Sequence, residues 1–299
     1  MTERLGAFEG VGGLKVLRDA SFAVTGKLST PLDGLLAPLR SERYLAEANA
    51  CARLAAVITT PDLAERLDGR LGVAVAREPD VAHAEVHAQL AAARAAALQA
   101  QPTRIDPSAR IDGCASVASY GVEIGPGVYV GPRCVVLPGS AIEADCALHV
   151  GAVIGVAGFQ AACIGGRQRI APQLGGVRLA RGVELLADVS VARALFGGET
   201  FVGEETLADC HVYIAHDCRI GARVQICALA NILGRAEIGD DAYIGPSAVV
   251  VNGARIGAGA KLTMGAVVTR DVPAGTTVSG NFAIEHHRFL DHLRAIRGA

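Results

Sequence analysis

Aliphatic residues recur every six positions along most of this 299-residue chain. They fall at Ile105, Ile111 and Val117, and after one extra residue at Ile124, Val130, Val136, Ile142, Leu148 and Ile154. A second series reads Val177, Val183, Val189 and Leu195. The third runs without a slip through Ile214, Ile220, Ile226, Ile232, Ile238, Ile244, Val250, Ile256, Leu262 and Val268. Neither the 3.6-residue helical period nor strand alternation produces sixes over such a length. A six-residue repeat is the mark of a parallel β-helix, with one short strand and one turn per hexad and the aliphatic side chain facing inwards. Glycine follows the aliphatic residue at Gly125, Gly131, Gly155, Gly221, Gly239, Gly245 and Gly257, where a coil must turn a corner.

The first hundred residues carry a different pattern. Ala55 to Ala64 reads as a buried strand followed by a Thr-Pro helix start, and Gly72 to Ala76 as a second buried strand. Val81 to Gln101 is Ala-rich without Gly or Pro and predicts a helix, which Pro102 and Pro107 then break. Residues 1–101 are therefore expected to form a small α/β domain and residues 102–280 the β-helix. Within the latter, Phe159 to Gly176 interrupts the repeat and predicts a surface loop beside a binding face. Residues 281–299 predict a short amphipathic helix, with Phe282, Phe289, Leu293 and Ile296 at helical spacing. The fold class is thus mainly β.

Composition narrows the function. A net charge of −2 gives no electrostatic reason to expect nucleic acid or an anionic membrane. No apolar run is long enough for a transmembrane helix, and the N-terminus lacks the basic-then-apolar order of a secretion signal. None of the eight cysteines forms a C-x-x-C pair, so most are expected to be small core residues in a reducing cytoplasm.

Candidate chemistry centres on His216, which sits between Ile214 and Ile220 in Tyr213–Gly221. If three hexads complete one coil, residues 18 apart stack, and Gly234 lies one coil above His216. A neutral imidazole can accept a proton near neutral pH, and a backbone N–H at a glycine corner can meet a developing oxyanion. His83, His87, His149 and His211 are expected to be solvated. His286, His287 and His292 fall on the terminal helix with Arg288, Arg294 and Arg297, either as a solvated face or as one turned to an acidic partner.

The stretches V-I-G-V-A-G-F (Val153–Phe159), A-P-Q-L-G-G-V (Ala171–Val177) and H-V-Y-I-A-H-D-C-R-I-G (His211–Gly221) resemble the UDP-3-O-acylglucosamine N-acyltransferases of lipid A synthesis. T-G-K-L-S-T, R-Y-L and A-A-V-I-T-T in the first domain look like that family's uridine-binding domain. The resemblance implies a left-handed parallel β-helix, a cytoplasmic homotrimer with sites between subunits, and no cofactor or metal. It also implies transfer of a hydroxyacyl chain from a 4′-phosphopantetheine-linked acyl carrier protein to the amine of a UDP-amino sugar. His216 then matches the family's general base, Asp209 the carboxylate that orients it, and Gly234 the oxyanion donor. Tyr44, Phe159, Gln173 and Asn252 are the implied substrate-binding residues.

Several positions depart from the family pattern. Asp217 stands where the family has Asn, Gly253 where it has a second histidine, and Ser41 and the neighbourhood of Pro38 where it has Asn and a second aromatic ring. Asn252 or Arg255 would have to take over what that second histidine does in the family. Two other readings stay open. His211 and His216 form an H-x4-H pair that resembles the β-helical gamma-class carbonic anhydrases, although the region around Gly175 and Gly176 lacks a third histidine. The chain can also be a non-catalytic scaffold, since fold alone does not confer activity.

Overall fold

The computed structural model describes residues 2–164, 166–280 and 285–297. In the N-terminal domain, strands β1 (Lys15–Arg18), β2 (Val24–Thr25), β3 (Leu35–Leu39), β4 (Leu54–Thr59) and β5 (Gly72–Val75) form one sheet in the order β1-β5-β4-β3-β2. β2 to β5 pair in parallel and β1 runs antiparallel at the edge. Strands β3 and β4 read as near-continuous apolar runs because both their faces are covered. Helix α1 (Leu45–Ala50) and helix α2 (Pro61–Ala64) follow β3 and β4, and Pro61 begins α2, where its missing N–H costs nothing. Helix α3 (Pro79–Gln99) buries Ala82, His83, Val86 and His87 on one side. His83 and His87 are therefore not solvated. They lie one helical turn apart on the face that meets the rest of the molecule.

The solenoid begins at Arg104–Ile105 and closes with Thr277–Val278. Its three faces are parallel sheets of eight, eight and nine strands. Regular coils pair residues 18 apart: Tyr213 with Asn231 and Ile214 with Ile232, then Asn231 with Val249. Each two-residue strand leaves its N–H and C=O groups for the coils on either side, so no coil is satisfied alone. The core has two inward columns. One holds the aliphatic series. The other, two residues earlier, holds Cys218, Ala230, Ala236, Ala242, Ala248, Ala254 and Ala260.

That second column corrects the reading of Val177, Val183 and Val189. These valines are buried, but they occupy the position usually filled by Ala or Cys. The strand register runs instead through Leu179, Leu185 and Val191, which pair with Ile142, Leu148 and Ile154. Leu195 belongs to no strand. Leu179 pairs with Val202, 23 residues on, so five extra residues leave the coil in the Arg193–Gly198 region. The larger insertion, Phe159 to Gly175, carries an antiparallel hairpin of Ala161–Ile164 and Arg167–Ile170. Both insertions leave the solenoid at the corner that follows the Val153–Val156, Ser190–Ala192 and Tyr213–Ile214 strands.

Cys134, Cys146 and Cys218 are core residues whose thiols donate to the carbonyls of His149, Ala180 and Leu233. Burial pushes the Cys146 thiol up to about 11 and the Cys218 thiol up to about 12. Cys114 is exposed and the other four are half-buried, so fewer cysteines reach the core than expected. Helix α4 spans His286–Arg297 and carries His286, His287, Arg288, His292 and Arg294 on exposed positions. Phe282 lies outside the described residues, as do the side chains of Phe289, Ile296 and Arg297. Among the described residues no helix is long and apolar enough to cross a membrane.

Candidate active site

The corner after Tyr213–Ile214 holds His216 and Asp217. Asp217 adopts a left-handed backbone (φ 60°), a conformation that Asp tolerates better than most residues. His216 Nδ1 and Asp217 Oδ2 are 2.7 Å apart, with side-chain exposures of 8% and 19%. A carboxylate can only accept, so Nδ1 carries the proton and the Nε2 lone pair is free. Three further contacts hold the carboxylate's residue in place. Leu195 N–H in the second insertion donates to both oxygens of Asp217, at 3.1 and 3.2 Å. Thr200 Oγ1, fully buried in the coil below, accepts the Asp217 N–H at 2.8 Å.

This arrangement corrects the assignment of Asp209. Asp209 lies at the opposite end of the Tyr213–Ile214 strand, where it accepts the N–H groups of Cys210 (2.7 Å) and Ala228 (3.2 Å). Those bonds, the Cys210 N–H foremost, hold its carboxyl below the ordinary carboxylate range. In this chain Asp217, not Asp209, is on the imidazole. The next residue reaches the ring because the left-handed corner turns its carboxylate back towards His216.

Gly234 stands one coil above His216, as the 18-residue spacing requires, and Arg235 N–H donates to the His216 carbonyl at 2.9 Å. A β-carbon at Gly234 would lie 2.8 Å from both Cε1 and Nε2 of the ring. The Nε2 edge therefore faces a surface that only glycine leaves open. Among the described residues the Gly234 N–H donates to no protein acceptor. Gly158, at the stalk of the first insertion, also packs against the ring, and a β-carbon there would lie 3.0 Å from His216 Cδ2. Gln173 Nε2 donates to the Gly158 carbonyl at 3.2 Å, which ties the two ends of that insertion together. Asn252 occupies the same corner one coil above Gly234, where Gly253 N–H meets the Gly234 carbonyl.

The other candidates stand apart from this column. Phe159 is 77% exposed at the mouth of the first insertion. Tyr44 lies on the N-terminal domain, with the Arg43 guanidinium 5.5 Å from its ring centre. Ser41 caps the short turn that carries Tyr44 by accepting the Arg43 N–H. Arg255 projects from a neighbouring solenoid face towards Glu237 at 3.4 Å. Pro38 lines a cavity of about 370 Å³ between the N-terminal domain and the first insertion, with Lys27, Arg40, His83 and Phe196 among its walls. His211 sits at the other end of the strand from His216, with its nearest carboxylate, Asp188, 3.9 Å away. Among the described residues no three His, Cys, Asp or Glu side chains gather where they can hold one metal ion.

The bacterial transferase hexapeptide (six repeats) family profile matches residues 235–270. Fold and profile together place the chain among the hexapeptide-repeat transferases, built on a left-handed parallel β-helix. The UDP-3-O-acylglucosamine N-acyltransferase of Bordetella parapertussis is 30% identical over 249 residues, covering 72% of this chain and 68% of that one. The enzymes of the same name from Caulobacter sp. (strain K31) and Janthinobacterium sp. (strain Marseille) are 38% and 34% identical. Those two matches cover 44% and 39% of this chain, and span only 39% and 33% of the relatives' own lengths. The chain belongs to the UDP-3-O-acylglucosamine N-acyltransferase family. A solved Francisella novicida UDP-N-acetylglucosamine acyltransferase aligns at a TM-score of 0.40 and 20% identity, over 63% of this chain and 73% of that one.

Proposed function

We propose that this protein is an N-acyltransferase of lipid A synthesis, with an acyl carrier protein thioester as donor and a UDP-amino sugar as acceptor. The observation that carries the proposal is the hydrogen bond from buried His216 to Asp217, which leaves the unprotonated Nε2 edge facing the open corner at Gly234. The acceptor amine attacks the thioester carbonyl carbon while His216 Nε2 takes its proton. Asp217 stabilises the imidazolium and keeps Nδ1 protonated. The oxyanion that forms is met by the Gly234 N–H. Collapse of the tetrahedral intermediate breaks the C–S bond, and the departing thiolate takes the proton back from the imidazolium. An amide and the free pantetheine thiol are left.

No resident cofactor enters this scheme. Use of acyl carrier protein implies a cytoplasmic reaction, and a homotrimer with its acceptor site shared between subunits completes the reading. The gamma-class anhydrase reading is weaker, because His211 and His216 lie at successive corners and Nδ1 of His216 is taken by Asp217. The deciding experiment is an acyl-transfer assay with acyl carrier protein thioesters of varied chain length and a panel of UDP-amino sugars. His216→Ala is expected to lower turnover on the best pair by about 100- to 10,000-fold, the usual contribution of a general base. Full turnover by that variant would refute the assignment.

A further inference from the structure

A series of hydrogen bonds connects the N-terminal helix to the imidazole of His216. His87, in α3, is almost fully buried and uses both ring nitrogens. Nε2 lies 2.7 Å from the Pro172 carbonyl, and Nδ1 lies 2.7 Å from Thr25 Oγ1. The carbonyl can only accept, so Nε2 carries the proton, and a neutral ring must then accept from the Thr25 hydroxyl. Two residues beyond Pro172, Leu174 N–H donates to the Leu195 carbonyl at 2.9 Å. Leu195 in turn gives its own N–H to Asp217, and Asp217 holds His216. The second insertion is also gripped from the side, because the Phe196 ring packs edge-to-face with His87 (centroids 5.4 Å, 73° between planes) and His83 (6.2 Å, 62°).

We infer that His87 is a positioning residue for the Asp217–His216 pair, acting through the Pro172 and Leu195 peptides of the two insertions. The inference rests on the acyltransferase reading only for its kinetic consequence. Three observations carry it. The bonds form a continuous series from α3 to the base, joined by the short Pro172–Leu174 backbone. Both insertions leave the solenoid at this corner, and each contributes one link. His87 is also buried, with no ionic partner among the described residues, so its two hydrogen bonds are the reason a polar side chain can sit there. Burial holds its ring below the ordinary histidine range, with the Pro172 carbonyl and the Asp217 charge opposing that effect. The ring is therefore neutral at physiological pH, the state that its two partners require. The pair's geometry thus depends on the N-terminal domain staying docked, although that domain supplies no group to the reacting atoms.

The test uses the full chain and three variants: His87→Ala, His87→Asn, whose amide is too short to reach the Pro172 carbonyl, and His87→Gln, whose Nε2 can reach it. Thermal unfolding identifies the folded variants. Turnover with acyl carrier protein thioester and UDP-amino sugar is expected to fall about tenfold in Ala or Asn, the equivalent of one lost hydrogen bond. KM for both substrates should stay within about twofold, because no substrate contact is removed. His87→Gln should recover most of the turnover. The proton on His216 Nδ1, followed by NMR with labelled histidine, should shift or broaden in Ala and Asn and return in Gln. A folded Ala or Asn variant with wild-type turnover and an unchanged Nδ1 proton overturns the inference, and so does a folded Gln variant that behaves like Ala. If wild-type protein transfers no acyl chain at all, the functional reading falls, and the Nδ1 signal still decides the positioning role.

Discussion

Two aspartates compete for the role of orienting His216, and replacing each with asparagine separates them. At Asp217 the geometry sets the size of the effect. Its carboxylate accepts the His216 Nδ1–H at 2.7 Å and the Leu195 N–H at both oxygens, in a site with little water access. A hydrogen bond to a charged partner contributes about 1.5–3 kcal/mol, which converts to about 10- to 160-fold in rate if it is realised in the transition state. Asparagine cannot reproduce it in either orientation. With its oxygen towards His216, the NH₂ opposes the Leu195 N–H, donor against donor. With its NH₂ towards His216, Nδ1 must become the acceptor, and the proton moves to Nε2, where it blocks the base. Asp217→Asn should therefore lower kcat by at least the charged-bond amount while leaving KM nearly unchanged. Asp209→Asn removes one charge from a turn that accepts Cys210 and Ala228 N–H groups, and asparagine can keep one of those bonds. Its effect should appear in unfolding midpoint rather than turnover. Steady-state kinetics on both variants, with circular dichroism to establish folding, decides the matter. A larger kcat loss in Asp209→Asn than in Asp217→Asn would refute the argument from this geometry.

Other consequences follow from the same structure. Gly234→Ala places a β-carbon 2.8 Å from two ring atoms of His216, so the ring must move; kcat should fall about 100-fold, the scale of an ångström misplacement, and retention of wild-type kcat would show that the corner has slack. His83 is buried, and desolvation chiefly lowers its pKa from 6.5 to about 3 in the folded protein. The unfolded chain then binds the extra proton first. The stability this neutral ring contributes is fully present above the unfolded pKa, about 6.5, and falls by about 1.4 kcal/mol per pH unit as pH drops from there towards 3. Urea unfolding at pH 7.5 and 5 should show this slope reduced in His83→Gln, and an equal slope in the variant would remove His83 as its cause. Leu229 holds a left-handed backbone (φ 63°) with a side chain 54% exposed. Leu229→Gly should raise stability by about 1 kcal/mol, the left-handed strain relieved less the glycine entropy, and a lower unfolding midpoint would contradict that balance.

The solenoid was legible because every coil repeats the same demand: one aliphatic side chain inwards, then a corner. The reading failed where two inward columns looked alike. Val177, Val183 and Val189 keep the six-residue spacing while filling the column that alanine fills elsewhere, and Leu195 falls six residues after Val189 by coincidence. The five-residue insertion at Arg193–Gly198 was thereby hidden, and with it the peptide that holds Asp217. The orienting carboxylate was obscured for a different reason. Adjacent residues ordinarily point apart, and only the left-handed corner at Asp217 turns its side chain back onto its neighbour. His83 and His87 escaped because an Ala-rich helix carries little contrast between its faces, so the buried side is set by what packs on it.

Matches to the family pattern and departures from it meet at the His216 corner, where Asp217 and Gly253 depart, and further departures lie on the N-terminal domain. His216 and Gly234, which match, share one corner of successive coils with Asn252, which stands beside the missing second histidine, so their relation is set by the ladder that builds the solenoid. Pro38, Ser41 and Tyr44, the positions that the resemblance assigns to the nucleotide, lie on a strand end and a short turn of the N-terminal domain, where Ser41 serves as a cap and Tyr44 faces Arg43. Such positions can be altered without disturbing the core. On the proposed function, the reacting groups sit on the solenoid corner, while the positions that would choose the acceptor lie on a domain packed against the two insertions. That division predicts a narrow reaction class and an acceptor that departs from the family's usual nucleotide sugar, and the substrate panel reads both directly. Efficient use of the family's usual acceptor would show that one aromatic ring is enough.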